Sequence, residues 1–248
     1  MKAKLIVAAA VAFLVSGTAG AAEIKVASTQ ATEEAYKELV AQFEKATGHK
    51  VTTYFSGTLN VSKKLAEGEP YDLVIMSASA IEEQIKLGKV AAGSRVNLAS
   101  SGTGLAVKRG APKPDIASID ALKKTLLTAK SIGYSTGPSG VYVVGMFQKL
   151  GIGDEVKPKL KQTPSGVFVG TLIANGDAEI GFQQISELVH FPGIDYVGPL
   201  PAEVQNTTMF STGIHSAAKE AEAAKALVKF LTAPAAAPAI KKHGLEPG

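Results

Sequence analysis

The chain has 248 residues, with 26 basic and 22 acidic side chains, a formal net charge of +4, and neither cysteine nor tryptophan. So even a balance, with no basic run interleaved with aromatics, excludes a nucleic-acid-binding surface. The lack of cysteine excludes disulfides and a cysteine-linked lipid anchor, so the fold must be held by its core alone.

The first 22 residues, "MKAKLIVAAAVAFLVSGTAGAA", have the three parts of a secretory signal. Lys2 and Lys4 precede an uncharged apolar run over residues 5–15, and Ala19 and Ala21 form an A-x-A cleavage pattern. Cleavage is expected near Ala21 or Ala22, with a periplasmic location. The run falls short of the roughly 20 residues a membrane span needs, and no later segment is longer, so the mature protein is not expected to be membrane-embedded. About 226 residues remain, enough for one large or two smaller domains.

The mature part alternates short apolar strands with helical patterns, which predicts an α/β protein with largely parallel sheets. "EIKVAS" at residues 23–28 reads as the first strand. A helix follows, with Tyr36, Leu39, Val40 and Phe43 at helical spacing, Glu33 and Glu34 in its first turn, and Gly48 as its stop. "KVTTYF" and "YDLVIM" read as strands two and three, with a short helix ending at Gly68 between them. "SASAIEEQIKLGKV" opens with a Ser-rich turn into another helix. Residues 95–114 are strand-like on both sides of residues 100–104. Then come a helix over 118–129, the strand "SIGYS", and a helix to Leu150. "TPSG" turns into a helix stopping near Gly176, followed by the strand "EIGFQ" and a turn. "IDYVGPLP" and "NTTMFSTGIHS" are the last strands, before two closing helices broken at Pro234.

Five times a strand gives way to Ser, Thr, Gln or Gly and a helix begins at once: "ASTQAT", "FSGTLN", "MSASA", "STGPSG" and "TPSG". In open α/β sheets the ligand crevice lies beyond the carboxyl ends of the strands, so such loops can converge there. Each brings hydroxyls and helix N-terminal amides, which together can surround an anion without a formal cation. Any one of these residues could be an ordinary N-cap worth ~1 kcal/mol, and Pro138 and Pro164 could simply begin helices. Their number and shared position point to a ligand.

Four segments, "EGEPYDLVIMSAS", "PSGVYVVGMFQKLGI", "VGTLIANGDAEIGF" and "AKALVKFLTAPAAAPAIKKHGLEP", resemble the periplasmic molybdate-binding protein family, and the likeness spans essentially the whole mature chain. The resemblance implies two α/β lobes, each with a mostly parallel sheet, joined by a hinge crossed twice, near residues 101–104 and 210–213. Lobe I would comprise residues 23–102 and 210–248, and lobe II residues 103–209. A small anion, either an oxyanion or an organic carboxylate, would be clamped between the lobes and passed to the membrane component of an ABC transporter. A monomer is expected, with no cofactor and no metal.

Position by position, "PSG" matches a Pro-Ala-Gly turn of the family, which turns the Ser139 amide, beside Gly140, to the ligand; an amide near Gly166 matches a second donor. The first loop offers Ser28, Thr29 and Thr32, the second Thr58 and Asn60, and the third Ser77. Where the family has a tyrosine, this chain has Gln184. An amide both donates and accepts, which suits a larger carboxylate ligand better than a bare tetrahedral oxyanion.

"FQQISEL" also resembles periplasmic aconitate isomerase, which shifts a proton along an allylic tricarboxylate. That chemistry needs a base beside an acidic C–H. The nearest candidates are Tyr142, one turn into the "PSGVY" helix, and Glu33, early in the first helix; packing and helix-dipole roles explain them equally well. His49, His190, His215 and His243 lie outside the strand-to-helix loops and are expected at the surface. No G-x-S-x-G elbow, Walker loop or paired metal-ligand spacing is present.

Overall fold

The computed structural model describes residues 20–248, so most of the expected signal segment lies outside the described residues. The first part of the chain runs β1 (Glu23–Thr29), α1 (Glu33–Thr47), β2 (Lys50–Ser56), α2 (Thr58–Ala66), β3 (Leu73–Ser77) and α3 (Ala78–Lys86). A long strand, β4 (Val96–Lys108), leads into α4 (Ile119–Thr128), β5 (Ile132–Tyr134), α5 (Pro138–Lys149), α6 (Gly153–Val156) and β6 (Leu160–Gln162). Next come α7 (Val169–Asn175), β7 (Ile180–Gln184), α8 (Ile185–Leu188) and β8 (Ile194–Pro199). The chain closes with β9 (Thr207–Ile214), α9 (Ala221–Leu231), α10 (Ala237–Lys242) and β10 (Glu246–Pro247).

The strands form one sheet in the order β2-β1-β3-β9-β4-β7-β5-β6, with β8 and β10 also paired to β4. The α/β class is as expected, but the sheet is mixed rather than mostly parallel. Its outer strands pair in parallel, whereas every pairing of β4 and β9 is antiparallel. Each half is covered on both faces, so a central strand such as "LVIMS" is buried at every position and apolar up to its closing Ser77.

In the first half α1, α9 and α10 bury Phe43, Leu227 and Ile240 against Ile24 and Leu73, while Val61, Leu65 and Ile81 from α2 and α3 fill the opposite face. In the second half Leu122, Phe147 and Val156 pack with Phe182, and Val169, Ile173 and Leu188 cover the other face of β4 at Ala106. Asp72, 5% exposed, accepts the amides of Lys25, Lys219 and Glu220 at 2.8–2.9 Å, tying β1, β3 and the start of α9 together.

Residues 100–104 do not interrupt a pair of strands, as expected from their composition, but lie within the single strand β4. Residues 96–102 of β4 pair with β9, and residues 103–107 pair with β7. The chain returns to the first half over residues 200–206, not at 210–213, which lie inside β9 with β3 on one side. The return runs beside β4: Thr103 N–H donates to Asn206 O at 3.1 Å, and Leu200 N–H donates to Thr103 O at 3.2 Å. Gln205 reinforces the junction, accepting from Thr103 N–H at 2.9 Å and donating to Thr103 O at 3.0 Å.

Candidate functional site

A cleft of about 410 Å³, mouth included, opens between the two halves of the sheet. Thr29, Gln30 and Ala31 follow β1, Gly57 and Thr58 begin α2, and Phe210 comes from β9. From the second half come residues 135–139 at the start of α5, Pro164, Gly166 and Val167 before α7, Gln183 and Gln184 ending β7, and Glu187 on α8. None of the lining residues is a lysine, arginine or histidine.

Two helix starts face each other across this space. Val61 N–H and Val141 N–H close the first turns of α2 and α5 on Gly57 O and Gly137 O, both at 3.1 Å. The amides of Thr58 and Ser139 precede those bonds, at helix positions that have no intrahelical acceptor. Both dipoles present their positive ends to the cleft, the usual seat of an anion. Thr29 adds a hydroxyl: the residue is 4% exposed and its Oγ1 has no hydrogen-bond partner among the described residues.

The rims of the cleft touch. A Cβ on Gly57 would lie 2.4 Å from Ser165 Oγ and 2.7 Å from Gly166 N, so only glycine allows this approach. Gln30 Nε2 donates to Gly166 O at 3.3 Å. Asn60 Nδ2 donates to Ser165 O at 3.0 Å and to Ser56 Oγ at 2.9 Å. Deeper in, Ser186 Oγ donates to Ala31 O at 2.7 Å.

Of the sequence candidates, Thr29, Thr58, Ser139, Gly166 and Gln184 come together in the cleft lining. The others take structural roles. Asn60 clasps the opposite rim, as described. Ser28 is turned inward, donating to Thr29 O at 3.0 Å, with Thr32 Oγ1 at 3.4 Å. Ser77 caps α3, its Oγ accepting from Ala80 N–H at 3.4 Å. Gly140 lies just behind the lining, where a Cβ would sit 1.7 Å from Ser135 O; the residue is there for packing.

Gln184 has a second task. With its amide oxygen accepting from Thr208 Oγ1 at 3.0 Å, its nitrogen donates to Ser101 O at 3.0 Å and Gly102 O at 3.3 Å, which engages all its polar atoms at the crossing of β4.

Neither expected base lies in the lining. Tyr142 donates its hydroxyl to Val204 O at 2.7 Å on the return segment, and burial pushes its pKa up. Glu33 lies in an adjoining groove with Glu34, Ser186 and His190, paired to Lys37 at 2.5 Å. His215 is 6% exposed, not at the surface, and burial lowers its pKa.

The group that sequence reasoning missed is Glu187, on the wall shared by the cleft and the groove. Burial pushes its pKa up to about 8, aided by the charge of Glu33 and opposed by hydrogen bonds from the Gln183 side chain and the Gln184 backbone. The signal was present in the quoted "FQQISEL". The four-residue helix that turns Glu187 into the cleft is too short to be read from periodicity.

The sequence profile described as bacterial extracellular solute-binding protein matches residues 24–246. The chain belongs to that family. Among curated relatives, it is 39% identical over 217 residues to an aconitate isomerase from Pseudomonas sp, spanning 85% of this chain and 82% of that protein. It is 30% identical over 239 residues to the molybdate-binding protein ModA of Azotobacter vinelandii, spanning 93% of this chain and 92% of that one. The solved structure of the Azotobacter vinelandii periplasmic molybdate-binding protein superposes with a TM-score of 0.77 at 20% identity, covering 91% of this chain and 99% of that one. The chain therefore has the family's fold around a cleft lined by neutral donors and one carboxyl.

Proposed function

We propose that this protein captures a small organic carboxylate in the periplasm by closing the two halves of its sheet over it, and delivers it to the membrane component of an ABC transporter. The lobes are residues 23–102 with the C-terminal segment, and the segment between, with the second crossing at residues 200–206. Supporting this reading above all is the lining itself, which offers helix amides and hydroxyls to an anion and has no lysine, arginine or histidine among its residues.

Glu187 favours a carboxylate over a tetrahedral oxyanion. With its pKa raised to about 8 it is largely protonated at neutral pH, so it donates a hydrogen bond to a ligand carboxylate instead of repelling it. A ligand that touches both lobes stabilises the closed form alone. Thermal unfolding with molybdate, tungstate, sulfate and a panel of di- and tricarboxylates is the test, because a tight ligand raises the midpoint by mass action. The largest rise is expected from a polycarboxylate; a rise confined to molybdate and tungstate would reverse the assignment.

A second reading, interconversion of trans- and cis-aconitate, is favoured by the 39% identity to the aconitate isomerase, against 30% to the molybdate-binding relative. Incubation with trans-aconitate, followed by proton NMR, separates turnover from binding.

A further inference from the structure

Among the residues lining the cleft, Glu187 alone carries an ionisable side chain; the rest are Ser, Thr, Gln, Gly, Pro and apolar side chains. Its carboxyl is held in place. Gln183 Nε2 donates to Glu187 Oε1 at 2.9 Å, while Gln183 Oε1 accepts the Val169 N–H at 2.7 Å. The backbone of α7 therefore fixes the Gln183 amide, and that amide fixes the carboxyl. The donor surfaces of the cleft, the starts of α2 and α5, lie along the same lining.

We propose that Glu187 is the carboxyl that moves the proton of an unsaturated polycarboxylate in this cleft, an assignment that rests on the isomerase reading. The ionised carboxylate takes a proton from the methylene between the double bond and a substrate carboxylate. The C–H electron pair becomes the new C=C bond. The pair of the old C=C bond takes the proton back from the Glu187 carboxylic acid at its far carbon. One proton leaves and one returns, no oxidant or reductant takes part, and Glu187 ends as it began. Amides of α2 and α5 stabilise the carboxylate onto which charge spreads in the allylic anion.

Burial makes this carboxylate a stronger base than an exposed one, and its pKa near 8 places it within the useful range for proton transfer at neutral pH. The charged and titratable groups that share its wall are Glu33 and Glu34 from α1 and His190 beyond α8, with Lys37 paired to Glu33. Glu33 holds the Glu187 proton more tightly, so the ionised fraction should rise between about pH 7 and 9.

The test uses the full mature chain in D2O with trans-aconitate, comparing wild type with Glu187→Gln and Glu187→Asp, with ligand binding measured separately by thermal unfolding. Wild type is expected to form cis-aconitate and to exchange the methylene proton for deuterium, with kcat/KM rising with pH. Glu187→Gln should lose about 10²–10⁴-fold in kcat while still binding, the usual share of a general acid–base group. Turnover by Glu187→Gln within threefold of wild type overturns the assignment and leaves the isomerase reading standing. A wild type that binds trans-aconitate without turnover or deuterium uptake overturns both. Should Glu187→Gln lack a cooperative melt, a wild-type or Glu187→Asp profile that is flat across that pH range overturns the role of Glu187.

Discussion

Thr29 separates ligand affinity from fold stability, because its buried hydroxyl bonds to nothing among the described residues while its backbone oxygen keeps the bond from Ser28. Thr29→Val keeps the shape and removes an unsatisfied polar atom, which by itself costs ~1–3 kcal/mol. The variant should melt at or above the wild-type temperature, yet bind the ligand about tenfold more weakly, the equivalent of ~1.4 kcal/mol. Calorimetric titration beside a thermal melt checks both halves of the expectation. Thr29, Thr58 and Ser139 were legible in the sequence because strand-to-helix turns of small hydroxylated residues announce their own geometry. Ser77 is a local helix cap, whereas Asn60 and Gln184 have partners that lie far along the chain. Asn60 meets Ser165, and Gln184 meets Ser101 and Thr208, pairings that no local pattern encodes.

At the scale of elements, α5 shows how tightly the donor turn is built. Gly140 lies against the Ser135 carbonyl so closely that an added Cβ, at 1.7 Å, would force backbone rather than a mobile side chain to move. Gly140→Ala should therefore cost ~1–3 kcal/mol of stability, the range of overpacking in a filled site, and should also displace the Ser139 amide. A lowered urea midpoint together with weakened binding is the expected pair of results; loss of stability with unchanged affinity would take Ser139 out of the site. Most elements were legible because helices such as α1 and α9 keep apolar side chains at regular spacing and bury them. Other features were not, among them the continuity of β4 through its Gly-rich middle, the four-residue helices α6 and α8, and the short strands β6 and β10. Each is decided by what lies next to it rather than by its own composition.

Across the whole molecule, the halves also meet at a pair of imidazoles. His190 and His243 approach to 3.1 Å, and His243 reaches Glu38 at 2.9 Å. Burial and the neighbouring His243 lower the pKa of His190, and burial lowers that of His215. A group with a depressed folded pKa binds protons better when unfolded, so stability contributed by these histidines is lost as pH falls through about 6.5. Glu187 acts in the opposite sense. Its raised pKa favours the folded state at low pH, and that contribution fades as pH rises from the ordinary carboxylate range through about 8. Melting temperature against pH should thus fall on both sides of a maximum near neutrality, with His190→Asn flattening the acid limb and Glu187→Gln the alkaline one. An unchanged acid limb in His190→Asn would remove the imidazole pair from the balance.

The two covalent passages between the halves run side by side and are bonded to each other through Thr103, Gln205 and Asn206. Two adjacent, cross-linked ribbons resist shear and twist far more than they resist flexing about their common line. Any opening is confined to a single angular coordinate, like a door on a piano hinge. One pair of spin labels placed across the mouth would then report the entire excursion, and the distances recorded with and without ligand should fall into two discrete populations.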